Sequence, residues 1–134
     1  MAIHVLDASA MVAYLTGEPG EKVVAALLTD PAATCYAHTL NLCEVYYGAI
    51  RKTDVKRARQ TILNLRTDGV IERQDINRHF WQRVGELKAR GRISLPDCFC
   101  ISLAQELGGE VVTSDHGEFD PLVPLGIVPI NFIR

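Results

Sequence analysis

The sequence predicts an α/β fold: a single domain over residues 1–134, with a central, mostly parallel sheet of five strands flanked by helices. Short apolar runs alternate with longer helical patterns along the chain, as in strands that are joined by helical crossovers. A length of 134 residues with 48% hydrophobic content suits one domain with one core. No repeat, linker or low-complexity segment interrupts the alternation.

Five apolar segments have the length and composition of buried strands, and they cover residues 2–6, 33–37, 70–72, 110–113 and 127–130. Ligand sites in open α/β sheets lie at the carboxyl ends of the strands. Asp7 follows the first of these segments and Asp115 follows the fourth. Both carboxylates are therefore expected at that edge of the sheet.

Six segments have helical patterns, and they cover residues 9–15, 21–28, 39–52, 54–66, 75–90 and 97–107. The segment 39–52 is apolar on nearly every face, which predicts a helix packed deep in the core. Pro96 opens the last helix, where a proline loses no needed hydrogen bond. The helix over 75–90 is expected to turn its large apolar residues inward, namely Phe80, Trp81, Val84 and Leu87.

Four cysteines, at positions 35, 43, 98 and 100, could in principle bind zinc. Their spacing does not match the paired spacing of zinc ribbons, and each lies in an apolar segment. We therefore expect four buried, reduced thiols and no zinc site.

The net charge of −2 conceals a strong asymmetry along the chain. Residues 51–92 hold 12 of the 14 Lys and Arg residues but only 5 of the 16 acidic ones. A basic flank beside an acidic centre suits an anionic polymer held next to a cation site. Solvated helix faces would explain the same distribution, so the charges alone leave both explanations open.

Three of the acidic residues have ordinary structural explanations. Asp7 and Asp97 could cap or complement the N-termini of helices, and Asp115 could belong to a turn. Glu44 has no such explanation, because it lies in the middle of the apolar helix over 39–52. An ionised carboxylate there is costly unless it pairs with a cation or a metal ion.

If these four carboxylates meet at the sheet edge, their repulsion would force some of them to bind protons unless a cation is present. An all-carboxylate pocket favours Mg²⁺ or Mn²⁺ over zinc. Such pockets serve phosphodiester hydrolysis, in which one or two ions activate water and stabilise the leaving oxygen. Small residues follow Asp7, from Ala8 to Ala10, and leave room for an ion and a phosphate.

Four short motifs occur in order along the chain: LDASA at 6–10, NLCEV at 41–45, LPD at 95–97 and TSDHGEF at 113–119. In order and spacing they resemble the PIN-domain ribonucleases, and most closely the VapC toxins of bacterial and archaeal toxin–antitoxin pairs. The resemblance covers essentially the whole chain. It implies a five-stranded parallel sheet between helices, RNA cleavage with Mg²⁺ or Mn²⁺, a homodimer, and a cognate antitoxin that lies across the active-site groove.

Carried over motif by motif, the resemblance implies a catalytic tetrad that consists of Asp7, Glu44, Asp97 and Asp115. All of these except Glu44 would be metal ligands, and Glu44 would orient or deprotonate the attacking water. Ser9 would lie beside the metal, and Asp120 could assist or replace Asp115.

Basic residues would bind the RNA backbone or contact the antitoxin. The residues predicted to do so are Arg51, Lys52, Lys56, Arg59 and Arg92. His38 and His116 are expected to be structural rather than acid–base groups.

Other classes of protein fit less well. A haloacid-dehalogenase-type domain needs an acid two residues after its first Asp, where this chain has Ser9. That class and receiver domains both use a late lysine, whereas none follows Lys88. Walker A and G-x-G-x-x-G sequences are absent. A PIN-like binding module without turnover and a PIN nuclease outside any toxin–antitoxin pair stay open as alternatives. No segment suits a membrane span or a secretion signal, so a cytoplasmic protein is expected.

Overall fold

All 134 residues are described in the computed structural model, in which five strands form one sheet in the order β3-β2-β1-β4-β5. Every pairing in this sheet is parallel. The predicted fold class is therefore confirmed. The strands are β1 (Ala2–Leu6), β2 (Ala33–His38), β3 (Val70–Arg73), β4 (Glu110–Thr113) and β5 (Ile130–Phe132).

Seven α-helices connect the strands, and they are α1 (Ala8–Thr16), α2 (Glu21–Thr29), α3 (Thr39–Lys52), α4 (Val55–Thr67), α5 (Arg78–Ala89), α6 (Leu95–Leu107) and α7 (His116–Phe119). A 3-10 helix, Asp120–Leu125, follows α7. Pro96 lies in the first turn of α6, as predicted, and Ser94 caps that helix. No helix combines the length and the apolar character that crossing a membrane would need.

Two apolar clusters cover the two faces of the sheet. Val5 and Val111 pack with buried residues of α5, α6 and α7, whereas Leu6 and Val112 pack with buried residues of α1 to α4. Successive residues of a strand point to opposite faces, so β1 and β4 are buried on both sides. This burial explains why their sequences are nearly continuous apolar runs.

The order of the strands reverses at β1. The chain passes from β1 outward to β2 and β3, and then returns to place β4 on the other side of β1. The crevice at the carboxyl ends of β1 and β4 is therefore the topological switch point, where open α/β sheets bind ligands. The register pairs Leu6 with Val112, so Asp7 and Thr113 leave the sheet side by side.

Two predicted boundaries are wrong. The last strand is Ile130–Phe132 rather than 127–130, because the 3-10 helix and the left-handed Gly126 turn the chain before it can pair with β4. Helix α5 begins at Arg78 rather than at 75, since Asn77 caps its first turn by accepting a hydrogen bond.

The predicted inward orientation of Trp81 is also wrong. Phe80, Val84 and Leu87 form the buried stripe of α5, while Trp81 is 49% exposed. Each residue advances a helix by roughly 100°, so the side chain after Phe80 projects beside the stripe and into solvent.

Helix α3 is amphipathic rather than deeply buried, contrary to the prediction. Its buried residues are Asn41, Leu42 and Val45, whereas Tyr47 is 43% exposed and Cys43 is exposed. The helix packs on α1, α4 and α6, which leaves its outer stripe in solvent. The other three cysteines are buried and reduced, as expected.

Candidate active site

Asp7 lies at the switch point with both of its carboxylate oxygens engaged. It is 2% exposed, and its Oδ1 accepts hydrogen bonds from the Ser9 hydroxyl at 2.7 Å and the Ala10 amide at 2.9 Å. Its Oδ2 accepts one hydrogen bond, from the Thr113 hydroxyl at 2.5 Å. The capping role considered for Asp7 is thus present at α1, and Oδ2 keeps capacity for a further partner.

A hydroxyl network fixes the orientation of Asp7. Ser9 Oγ donates to Asp7 and accepts a hydrogen bond from the Ser114 amide at 3.0 Å. Thr113 Oγ1 likewise donates to Asp7 and accepts from the Asp115 amide at 2.9 Å. The network joins the end of β4 to the start of α1. Ser9 thus contacts the Asp7 carboxylate directly.

Three further carboxylates lie together at this edge: Asp97, Asp115 and Glu118 each offer an oxygen within 4.8 Å of the others. The Ser94 hydroxyl donates to Asp97 Oδ2 at 2.9 Å, and the Ser94 amide donates to Glu118 Oε1. The Glu118 amide donates to Asp115 Oδ1 at 2.9 Å, so Asp115 caps α7. One oxygen of each carboxylate is held in this way, and the other receives no hydrogen bond from the protein. The negative charges of these carboxylates repel one another unless the group binds protons or a cation.

Glu118, and not Asp120, belongs to this group. The Asp120 side chain is 58% exposed and its Oδ1 pairs with Nδ1 of His116 at 2.8 Å. Residues three apart in a helical turn share a face, so Glu118 returns toward Asp115 whereas Asp120 does not. Glu118 has no role in the sequence prediction, although its spacing from Asp115 in the TSDHGEF motif is the signal that could have revealed it.

Glu44 approaches the group from α3, where it is half-buried. One turn before it, the fully buried Asn41 donates a hydrogen bond from Nδ2 to the carbonyl of Pro96 at 3.2 Å. This contact ties α3 to the first turn of α6, which carries Asp97. Glu44 takes part in none of the salt bridges of the protein.

Burial raises the pKa of three of these carboxyl groups. It raises the pKa of Asp97 to about 7, and the negative charges of Asp7, Glu118 and Glu44 add to that rise. Burial likewise raises the pKa of Glu44, and the charges of Asp7 and Glu118 act in the same direction. Burial also raises the pKa of Asp7, against the effect of its three hydrogen bonds. The acids therefore interact as one site that could hold a metal cation.

His38 and His116 have both ring nitrogens engaged in structural contacts. His38 accepts a hydrogen bond from the Leu40 amide and bonds to the carbonyl of Asp75. His116 bonds to the carboxylate of Asp120 and to a carbonyl at the C-terminal end of the chain. Both rings therefore make contacts within the fold, as is typical of structural histidines.

The basic residues expected to contact RNA or an antitoxin are all exposed and fall into two groups. Arg51 and Lys52 end α3, and Lys56 and Arg59 lie on α4. Arg92 is separate, in the loop between α5 and α6.

The family model described as "PIN domain" matches residues 4–121 of the chain. The resemblance that the four motifs indicated is thereby confirmed at the level of the family. No curated protein matches the chain significantly.

Solved structures share the fold at low identity. VapBC2 from Rickettsia felis, bound to a DNA fragment from its promoter, aligns with a TM-score of 0.73 and 14% identity over 97% of this chain and 98% of that one. VapC20 of Mycobacterium tuberculosis, a toxin that cleaves the sarcin-ricin loop, aligns with a TM-score of 0.68 and 15% identity over 89% of this chain and 94% of that one. VapBC-5 of the same organism, a member of a family of toxin–antitoxin systems, aligns with a TM-score of 0.63 and 22% identity over 98% of this chain and 99% of that one.

Proposed function

Because the chain belongs to the PIN-domain family, we propose that residues 1–134 form a single metal-dependent endoribonuclease domain that acts as the toxin of a toxin–antitoxin pair. The observation that carries this proposal is the carboxylate group at the switch point, in which Asp97, Asp115 and Glu118 lie within 4.8 Å of one another. Asp7 and Glu44 act on the same group through their charges. The fold shared with VapC20 and the VapBC proteins supports the toxin role.

The donor set fits Mg²⁺ or Mn²⁺. It contains oxygen ligands alone, and hard divalent ions prefer such ligands. Asp7, Asp97 and Asp115 would hold the ion, with Glu118 as a fourth carboxylate. A bound ion of this kind supplies a Lewis acid that activates water and neutralises charge on a phosphodiester.

The side chains around that group supply positioning and proton transfer. Hydrolysis adds the hydroxyl of water to phosphorus, breaks one P–O bond of the backbone and delivers a proton to the departing oxygen. Glu44 is half-buried with a raised pKa, which suits a general base that accepts the proton of the attacking water. Ser9 and Thr113 hold Asp7 in one orientation, and Asn41 sets the distance between the helices of Glu44 and Asp97.

The exposed basic residues would bind RNA through its phosphates, which gives affinity without sequence information. This group consists of Arg51, Lys52, Lys56, Arg59 and Arg92. A cognate antitoxin is proposed as a protein partner, because the similar folds include a member of the VapBC toxin–antitoxin family. A second copy of the chain is proposed as well, because the resemblance of the four motifs to VapC toxins implies a homodimer.

The first test is cleavage of total RNA by the purified protein with Mg²⁺ or Mn²⁺, compared with EDTA. Asp7→Asn should abolish cutting, while Glu21→Gln, an exposed acid on α2, should retain it. Circular dichroism would verify that both variants fold. Cutting that survives in EDTA or in Asp7→Asn would refute the metal-dependent site.

The toxin role needs a separate test in cells. Induced expression in a bacterial host should arrest growth, and Asp97→Asn should relieve the arrest. Co-expression of the protein encoded beside this gene should restore growth to the unaltered chain. RNA cleavage without growth arrest would leave a PIN nuclease outside any toxin–antitoxin pair.

A further inference from the structure

A cavity of about 340 Å³ lies between the loop that joins α5 to α6 and the 3-10 helix. Its volume falls at the lower end of the range for small-ligand sites. Its apolar wall is formed by Leu87, Ile93, Leu122, Leu125 and Ile127. We call this space the apolar cavity.

Two arginines stand at the rim of the apolar cavity. Arg90 and Arg92 both line it, and both are exposed. Neither side chain takes part in any of the five salt bridges. The cavity thus presents an apolar interior beside two positive charges that form no salt bridge, which is complementary to a ligand that has an apolar body with an anionic group next to it.

The apolar cavity adjoins the candidate active site. Glu118 lines the cavity and also belongs to the group of Asp97, Asp115 and Glu118. A ligand that occupies the cavity is therefore adjacent to the carboxylates where the phosphodiester would be cut.

A second, polar groove continues away from the active site. It shares Leu87, Arg90 and Ile127 with the apolar cavity. From α5 it adds Gln82, Glu86 and Arg83, of which Arg83 pairs with Glu106. The two spaces form one path from the carboxylate group, past the two rim arginines, along α5. Such a path can carry a strand whose phosphates contact Arg90 and Arg92.

Resting on the proposed ribonuclease function, we propose that the apolar cavity receives one unstacked base of the RNA, next to the cut phosphodiester, and so sets a base preference at that position. Single-stranded RNA is recognised through splayed bases that stack on apolar, aromatic or guanidinium surfaces. Arg90 and Arg92 bind the flanking phosphate or stack on the base. An apolar and acidic segment of an antitoxin is the other conceivable occupant, and the test below separates the two.

The test compares two substitutions on the same 3-10 helix. Leu125 is 61% exposed and lines the apolar cavity, whereas Val123 is 53% exposed and does not. Leu125→Glu introduces a carboxylate at the cavity, which repels RNA and pairs with the rim arginines. Val123→Glu introduces the same negative charge outside it, and is the control.

The first readout is the base composition around cut sites in a fully randomised single-stranded RNA pool with Mg²⁺ or Mn²⁺. The unaltered protein should prefer certain bases at one position beside the cut, and Leu125→Glu should reduce that preference by about fivefold or more. Val123→Glu should keep the preference. If Leu125→Glu keeps it as well, the inference is overturned while the nuclease function stands.

The second readout needs no turnover. A short RNA with 2-aminopurine at one position is added in EDTA, and its fluorescence should change with the unaltered protein and Val123→Glu but not with Leu125→Glu. If these fluorescence changes are observed but the protein cleaves no RNA, the proposed base site stands and the proposed nuclease function is refuted. Equal RNA signals for all three proteins, with antitoxin binding lost in Leu125→Glu, would assign the cavity to the protein partner and overturn the inference.

Discussion

The hydroxyl of Thr113 donates a 2.5 Å hydrogen bond to Oδ2 of Asp7, although the two residues lie 106 positions apart in the chain. The parallel register of Leu6 with Val112 places them side by side where β1 and β4 end. Thr113 is fully buried and Asp7 is 2% exposed. The hydroxyl therefore supports a carboxylate that has lost most of its contact with water.

Thr113→Val removes this hydrogen bond, and the one that Thr113 accepts from the Asp115 amide, while it keeps the shape of the side chain. We expect the free energy of unfolding to fall by about 1–3 kcal/mol, because a buried acceptor is left without its donor. Thr113→Ser retains the hydroxyl and should remain closer to the original stability. Urea denaturation in EDTA measures the free energy of unfolding of both variants. A larger loss for Ser than for Val would show that packing of the methyl group, and not the hydrogen bond, is what matters.

Stability without metal should fall as pH rises toward neutrality. The folded protein holds a proton on Asp97 up to a pKa of about 7, whereas the unfolded chain ionises near the ordinary value of 3.8. This contribution to stability is fully present below the unfolded pKa and is lost as pH rises through the folded one. Thermal denaturation in EDTA across this pH range should show the decline, and Asp97→Asn should make it shallower.

Adding Mn²⁺ near and above pH 7 should raise the melting temperature of the unaltered protein, because the ion replaces the protons as the partner of the carboxylates. An identical pH slope for Asp97→Asn and the unaltered protein in EDTA would contradict the assignment of this titration to Asp97.

Glu118 and Asp120 provide a matched pair for locating the metal site. Glu118→Gln should weaken Mn²⁺ binding by about tenfold or more, since it removes one charge from the carboxylate group. Asp120→Asn removes an exposed charge that pairs with His116, and it should leave the affinity nearly unchanged. Isothermal titration calorimetry compares the Mn²⁺ affinities of the two variants. A larger loss of affinity in Asp120→Asn would place Asp120, and not Glu118, in the metal site.

The salt dependence of RNA binding tests the basic residues of α4. Each phosphate contact on single-stranded RNA contributes roughly 0.7 to the slope of log affinity against log salt concentration. The double change Lys56→Gln and Arg59→Gln should therefore lower the slope by about 1.4. Lys22→Gln, on α2 outside the basic region, is the control. An unchanged slope in the double variant would assign this surface to another partner.

Local sequence patterns were sufficient for much of the fold. Strands β1 and β4 and helix α3 lie where the apolar runs and helical period place them. Those signals arise from neighbouring residues, because backbone preference and the period of the apolar pattern are local properties of the chain. The boundary of β5 depended instead on a 3-10 helix and on pairing with β4, so it moved to Ile130–Phe132.

The sequence by itself determined the α/β class and placed Asp7 and Asp115 at one edge of the sheet, because parallel strands have a common direction. The tertiary structure decided which further side chains complete the site. Glu118 turns toward Asp97 because α7 is a single helical turn capped by Asp115. Thr113 reaches Asp7 because of the register between distant strands. The contact between Thr113 and Asp7 depends on how separate strands are aligned, and no local pattern in the chain encodes that alignment.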